Sequence, residues 1–439
     1  VNTIIIYLVV YLFILGYITW SSSRGQSNAD FINSSKSLTA NETTWTTFAS
    51  LLTGYNFVIG VTFSYIFGFY YLFSFIGAAL AFVVLYYFYK NKLFKLQKDY
   101  NLFSPGDYFG IRFGKSTKYI TNVILVIALF LFLILQLFVN TQLFSGLLGI
   151  GNLLALFITT GVVCIYLWFG GFKASVKTDI LQGLLLLPII LAVFIFPFNF
   201  TIENVSIAIP EGQFWFAIGL AALQFLSLVA QAESFQRIFA VKNTRSLKRG
   251  LMYSFVLLAL VAGAVAYLGI NFLLSGNIVD PNNLFVDGVL AALPTQLASL
   301  LAISLIAAFM GTIDSSAFAL GVILAKSVKR IRLVIIFSVI LAALASLYLF
   351  SFLSSVFALI SVISVIGTAV VVSMFEFANK LIVNTLLVVG TVTFILGLMF
   401  GFVADNPLTA LIPSGIGLAV SAIVFVCNLI YVKKYEVSE

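Results

Sequence analysis

Three carboxylates, Asp179, Glu233 and Asp314, fall within or at the edge of long apolar segments, far from the outer connections. An ionisable group in such a segment is costly unless something compensates its charge, which makes each a functional candidate. Asp179 follows Gly170-Gly171-Phe172-Lys173-Ala174-Ser175-Val176-Lys177-Thr178 and precedes Gln182. A carboxylate with a hydroxyl and an amide nearby supplies the oxygen ligands that a hard cation takes. An interfacial pair with Lys173 or Lys177 is the other reading, and spacing alone does not choose. Around Asp314, the residues Ala308, Gly311, Thr312 and Ser315 recur at i, i+3, i+4 and i+7, one face of a helix. Small faces of this kind let membrane helices pack closely, but close packing does not account for the Asp. Glu233 stands four residues before Arg237 in Gln231-Ala232-Glu233-Ser234-Phe235-Gln236-Arg237. That spacing fits either a helical ion pair or a polar cluster at the inner end of a cavity. Upstream, Ala49-Ser50-Leu51-Leu52-Thr53-Gly54-Tyr55-Asn56 offers a helix break at Gly54 that would free carbonyls for a cation. The alternative is a continuous helix whose hydroxyls bond to its own carbonyls.

The elements that must position these groups are membrane spans. The chain is 62% hydrophobic and 9% charged, which cannot build a soluble surface. A span needs roughly 20 apolar residues, and about thirteen such segments are present: 1–21, 44–67, 69–90, 118–146, 151–171, 176–197, 213–236, 250–275, 294–325, 331–352, 354–376, 381–404 and 407–432. All 23 Lys and Arg fall in or at the border of alternate connections, whereas the opposite ones carry Glu203, Glu211, Asp280, Asp287 and Asp405 without a base. Basic connections stay cytoplasmic during insertion. The N-terminus is therefore expected outside and the C-terminus, with Lys433 and Lys434, inside a multi-pass protein of the cell (plasma) membrane. No Lys or Arg is expected at mid-membrane. Ser104-Pro105-Gly106 reads as a turn within the long inner connection 91–117. The outer connections 198–212 and 276–293 would cap the opposite mouth.

Other chemistries are disfavoured. Cys164 and Cys427 both lie in apolar spans without metal-ligand companions, and the chain has no His. A disulfide framework, a zinc site and His-based acid–base catalysis do not fit, and no organic cofactor is expected. The net charge of +8 is dispersed over the inner connections, which points to anionic lipid head groups as partners rather than nucleic acid. Val1–Trp20 lacks a basic leader and a cleavage site and reads as a retained first span. No appended soluble domain is expected.

Five segments in order resemble the sodium/solute symporters, the group that includes sodium/galactose, sodium/proline, pantothenate and sialic acid carriers. Ser27-Asn28-Ala29-Asp30-Phe31 with Lys36-Ser37-Leu38 looks like the family's acidic-aromatic linker, and Arg112-Phe113-Gly114 fits its "RFG". Gly170-Gly171 through Thr178-Asp179 and Gln182 looks like its "GG…A…TD..Q" element. Gln236-Arg237 with Ala240 and Lys242 looks like "QR..Aak", and Met310-Gly311-Thr312-Ile313-Asp314-Ser315 like "MSTxDS".

The resemblance implies an all-α LeuT-type fold: one extra N-terminal helix (1–21), two inverted five-helix repeats (44–197 and 213–376) and two C-terminal helices (381–432). It implies a sodium site at the carbonyls of Ala49, Leu52 and Ala308 and the hydroxyl of Thr312. Gly311 stands where the family usually has a second hydroxyl. A second cation site is implied at Asp179, Asp314 and Ser315, where two carboxylates would share sodium or a proton. Glu233 occupies a position that is often an aromatic inner gate. Thr53, Asn56, Gln136, Asn140, Gln224, Gln231 and Glu233 are the candidate substrate residues around the cavity.

The sequence thus reads as a secondary active transporter, not an enzyme, that couples sodium entry to uptake of a small polar solute by alternating access and acts as a monomer. The rivals are a proton-coupled carrier of the same fold, an uncoupled substrate sensor, and a membrane acyltransferase. The last two are opposed by the lack of a signalling domain and of His or a clustered nucleophile.

Overall fold

The computed structural model describes residues 2–33, 36–51, 54–100, 102–193, 195, 209, 212–276, 280, 284–348, 352–403 and 406–436. In hydrocarbon a single segment can satisfy its backbone groups only as a helix, and the described residues are helical with no strand beyond one isolated bridge. In order the helices are α1 Asn2–Ser23, α2 Asn28–Asn33, α3 Ala40–Leu51, α4 Gly54–Phe67, α5 Phe73–Phe88, α6 Phe94–Asp99, α7 Pro105–Phe113, α8 Lys115–Leu148, α9 Asn152–Leu186, α10 Ile189–Val193, α11 Phe214–Ala230, α12 Ala232–Ala240, α13 Thr244–Leu274, α14 Thr295–Leu324, α15 Val328–Ser346, α16 Phe352–Ser373, α17 Lys380–Phe400 and α18 Pro407–Glu436.

Among the described residues, nine helical runs are long and apolar enough to cross a membrane, or ten with the bent pair α11–α12. The count of about thirteen read from the sequence divides two of these runs, 56–97 and 152–186, and adds α15. The first run turns at the short 3₁₀ segment Gly68–Leu72. The second turns at one residue, Gly171, whose φ of 64° lies in the left-handed region. A Cβ there would stand 2.4 Å from the Phe31 ring, so glycine serves both the bend and the close approach of α2.

At the centre lies α14, with every residue from Leu301 to Gly321 buried. Its many Ala, Ser and Gly residues let neighbours approach closely, and α1, α3, α4, α8, α9, α12 and α15 all pack on it. The break expected at Gly54 adjoins residues 52–53, which lie outside the described residues. An interruption at Gln231 was not foreseen: α11 and α12 bend by 49° there. No Gly or Pro marks it; Gln231 simply adopts an extended ψ of 122°, which leaves the last carbonyls of α11 and the first N–H groups of α12 without intrahelical partners. The segment that leads into α3 is tied to the end of α12. Leu38 N–H donates to Ala240 O and Lys242 N–H to Leu38 O, each at 3.0 Å, fixing the start of α3 beside the end of α12.

The connection 91–117 is not an open loop. Ser104 is an N-cap rather than part of a free turn: it accepts from the Asp107 N–H, Asp107 reciprocates, and Pro105 starts α7. From α7, Arg112 donates to the carbonyls of Ser373 and Phe375, capping α16.

Candidate functional site

Among the described residues, only four charged side chains are buried: Asp179, Glu233, Arg237 and Asp314. Three carboxylates against one guanidinium leave an excess of two negative charges if all are ionised. Arg237, on α12, is the hub. Its Nη2 lies 2.9 Å from Asp179 Oδ2 and 2.8 Å from Ser315 Oγ. Its Nε donates to Thr46 Oγ1 at 2.8 Å and Thr46 O at 3.0 Å, and its Nη1 to Glu233 O at 3.1 Å. The Thr46 hydroxyl also donates to Asp179 Oδ2. One side chain thus gathers α3, α9, α12 and α14.

This corrects three expectations. Asp179 is not an interfacial acid paired with Lys173 or Lys177; Lys173 instead approaches Asp30 at 3.9 Å. Glu233 and Arg237 touch through a backbone carbonyl, and no side-chain ion pair joins them. Arg237, expected in the inner connection, is instead buried in the protein core, 1% exposed. Loop position assigned it to the inner connection, but the break at Gln231 and the tie at Leu38 tilt α12 so that its side chain runs into the core.

Asp314 has no basic partner of its own. Its Oδ1 accepts from Ser315 Oγ at 3.0 Å and Ser175 Oγ at 3.3 Å. Its Oδ2, the second oxygen of Asp179, the Tyr11 hydroxyl and both amide atoms of Gln182 are buried without a hydrogen-bond partner. Tyr11, from α1, stands beside Gln182 and Asp314; Tyr166 stands beside Asp314 and donates to Met310 O at 2.9 Å. Thr178 is turned away, donating to Ser175 O at 2.9 Å. The glycine at 311 has a local cause: a Cβ there would lie 2.0 Å from Gln182 Oε1. The amide occupies the place of the absent side chain. Among the described residues no group of three or more His, Cys, Asp or Glu can hold a metal ion, so a cation at Asp314 would draw on hydroxyl and amide oxygens.

For the other expected cation position, Ala49 is buried near the end of the described part of α3. Thr312 Oγ1 donates to Ala308 O at 2.7 Å, setting both oxygens together while leaving the hydroxyl lone pairs open. Leu52 and Thr53 lie outside the described residues.

A cavity opens at the break between α11 and α12. Its wall includes Leu51 of α3 and Asn56 of α4, Ala230, Gln231 and Glu233 at the break, and Gln224 and Ser227 on α11. The rest is apolar and aromatic, including Phe63, Tyr71, Phe75 and Phe132. Four of the expected substrate residues, Asn56, Gln224, Gln231 and Glu233, line it. Gln136 and Asn140 do not: α8 contributes Leu125–Phe132 instead, and those two amides are fully buried without partners. Amide chemistry in an apolar span suggested them, but helix depth decides the lining. The sequence reading missed Arg237, Thr46, Tyr11, Tyr166 and Ser316. Only the run Thr43-Thr44-Trp45-Thr46-Thr47 carried a signal, as hydroxyls crowded into a span.

The family model for the sodium:solute symporter family matches residues 31–382. The chain belongs to the sodium:solute symporter family. No curated protein matches it in sequence. Among solved structures, this symporter is similar to a Na+-coupled sialic acid symporter in a substrate-bound outward-open state, with TM-score 0.79 and 18% identity over 96% of this chain and 97% of that one. It is similar to MHP1, a nucleobase-cation-symport-1 family transporter in a closed conformation, with TM-score 0.60 and 12% identity over 94% and 97%. A manganese transporter of Eremococcus coleocola follows at TM-score 0.53 and 14% identity over 93% and 97%. These likenesses establish the LeuT-type fold. The symporter is a multi-pass membrane transporter, not an enzyme.

Proposed function

We propose that the chain is a sodium-coupled symporter that carries a small solute inward by alternating access. The observation that supports the reading is the cavity at the break between α11 and α12, which Leu51 of α3 and Asn56 of α4 also line, together with the α14 face that presents Ala308 O and Thr312 Oγ1. Freed carbonyls at such breaks are suited to an alkali cation. Sodium is assigned to the carbonyls of Ala49, Leu52 and Ala308 and the Thr312 hydroxyl. Asp314, with Ser315, is assigned a second cation. Asp179 contributes less to that second site than its charge suggests, because Arg237 already neutralises it. The solute is assigned to the cavity at Asn56, Gln224, Gln231 and Glu233. The repeats 44–197 and 213–376 are assigned the rocking motion, with the N-terminus outside and the C-terminus in the cytoplasm of the cell.

The experiment is sodium binding by the purified protein, read as a sodium-dependent thermal shift, for wild type and Thr312→Val. The substitution keeps shape and removes one oxygen ligand, so sodium affinity should fall about tenfold while the fold persists. Unchanged sodium affinity in a folded Thr312→Val would move the site elsewhere.

A further inference from the structure

We infer that the solute taken by this cavity is a small organic ammonium ion, recognised by Glu233 and by the aromatic faces around it. The inference rests on the transport reading above, and adds to it the chemical class of the solute.

The argument begins with charge. Among the described residues, Glu233 is the only charged one on the cavity wall. Arg237, the base one turn along the same helix, turns its guanidinium to Asp179 and meets Glu233 only through the backbone carbonyl. One carboxylate oxygen accepts from Ser316 Oγ at 2.8 Å, a neutral donor that orients the group without cancelling its charge. A buried carboxylate lacking a counter-ion is strongly unfavourable while it is ionised, and a cation entering the cavity would relieve that cost. The other uncompensated carboxylate, Asp314, is fully buried on α14 and is not part of the cavity wall. The two negative charges in excess therefore lie in two different surroundings.

Those surroundings select different cations. Asp314 is among hydroxyls and an amide. Glu233 faces a wall dominated by Leu, Ile and Phe, with neutral oxygens at Asn56, Gln224, Ser227 and Gln231, a mixed lining that suits a cation with an apolar body. Aromatic faces attract ammonium groups and repel carboxylates, and Phe63, Tyr71, Phe75 and Phe132 all line the same space. The end of α11 adds to this preference, because Ala230 ends that helix at the wall and brings its partially negative terminus there. The opposing positive terminus of α12 is met by Glu233 itself, in the first turn. A monocation with an apolar body satisfies the carboxylate, the helix end and the aromatic lining together. A dicarboxylate finds no cationic side chain on the wall.

The test uses matched pairs that differ in charge but little in shape: (2-hydroxyethyl)trimethylammonium against 3,3-dimethylbutan-1-ol, and n-butylammonium against n-butanol. Glucose and succinate serve as further probes. Affinities are measured by thermal shift or calorimetry in saturating sodium, for wild type, Glu233→Gln, Glu233→Asp and Ser316→Ala. The ammonium member of at least one pair should bind wild type more tightly than its neutral partner. Glu233→Gln should lose about 10- to 100-fold in ammonium affinity, as expected for removing a charged hydrogen-bond partner, while neutral partners are unaffected. Glu233→Asp and Ser316→Ala keep the charge and should keep the preference, which covers the case of a Glu233→Gln protein that does not fold. Preference for the alcohol, glucose or succinate, failure of both ammonium ions to bind, an undiminished preference in a folded Glu233→Gln, or loss of the preference in a folded Glu233→Asp, would overturn the inference. Sodium stabilisation is read separately without solute. Ammonium preference without a sodium effect would retain the solute class and sink the sodium coupling; a sodium effect with neutral preference would do the reverse.

Discussion

Asp179 Oδ2 receives two donors at once, Arg237 Nη2 at 2.9 Å and the Thr46 hydroxyl, so that an acid of α9 and a base of α12 meet against α3. Both charged side chains are withdrawn from solvent almost completely. An ion pair of this kind is weak evidence for stability as a whole, but removing one partner strands the other. Arg237→Met should therefore destabilise the protein by about 3–5 kcal/mol, and Asp179→Asn should do nearly as much harm. The double variant Arg237→Met/Asp179→Asn removes both charges and should recover a large part of the loss. The melting midpoints of the two single variants and the double, compared as a cycle, check this. Additive losses would mean that the pair does not act as a unit.

The spans were legible because burial in lipid demands long apolar helices, and the carboxylates because they are conspicuous there. Arg237 was not legible, and the reason is geometric. Its place in the chain borders a basic connection, and only the bend at Gln231, which no Gly or Pro announces, turns it inward. Gln136 and Asn140 erred in the opposite direction: polarity identified them, but their depth along α8 put them outside the cavity. Position along a helix and the angle at a break depend on packing between distant segments, which one-dimensional spacing does not encode. The Gly311 substitution shows the same dependence, since its cause is a glutamine 129 residues away in the chain, as their numbers show.

Gly311→Ser restores the hydroxyl usual in the family, and from the sequence alone it should leave sodium affinity equal or higher. The structure reverses that expectation. The new Cβ would stand 2.0 Å from Gln182 Oε1, inside a region where Gln182 is buried. Gly311→Ser should cost about 1–3 kcal/mol of stability through overpacking and lower sodium affinity. Gln182→Ala in the same chain vacates the space and should recover both. Sodium titration by thermal shift on the two single variants and the double decides; a stable Gly311→Ser with tighter sodium binding would show that Gln182 moves aside freely.

Membrane orientation follows from the basic connections. Cysteines introduced at Glu203 and Lys248, in a background with Cys164 and Cys427 replaced by Ala, should react with an impermeant maleimide from opposite faces. Labelling at Glu203 should occur in intact cells, and labelling at Lys248 only after permeabilisation. Labelling of both from outside would contradict the proposed orientation.

Sodium and proton coupling are separated at Asp314, the buried carboxylate without a basic partner of its own. Asp179 is already neutralised by Arg237, so the two acids are not equivalent members of one site, as their shared neighbourhood in the sequence motifs had implied. Ser175, Ser315 and the Gln182 amide place neutral oxygens near Asp314, a set that a hard cation uses and a proton does not need. Asp314→Ser should therefore leave a folded protein that still carries solute but moves fewer sodium ions per cycle. Asp179→Asn should impair transport more, and for a different reason: it strands Arg237 and lowers stability. Uptake into proteoliposomes under imposed sodium or proton gradients, with charge movement recorded for wild type and both variants, distinguishes these roles. Sodium-driven uptake that varies little with pH near neutrality, with a smaller charge per solute in Asp314→Ser, is the expected result. Uptake by wild type that persists without sodium and follows the proton gradient, and that Asp314→Ser abolishes, would make Asp314 a proton carrier. An Asp179→Asn protein of undiminished stability would show that the Arg237 contact is dispensable, and with it the division of roles between the two carboxylates.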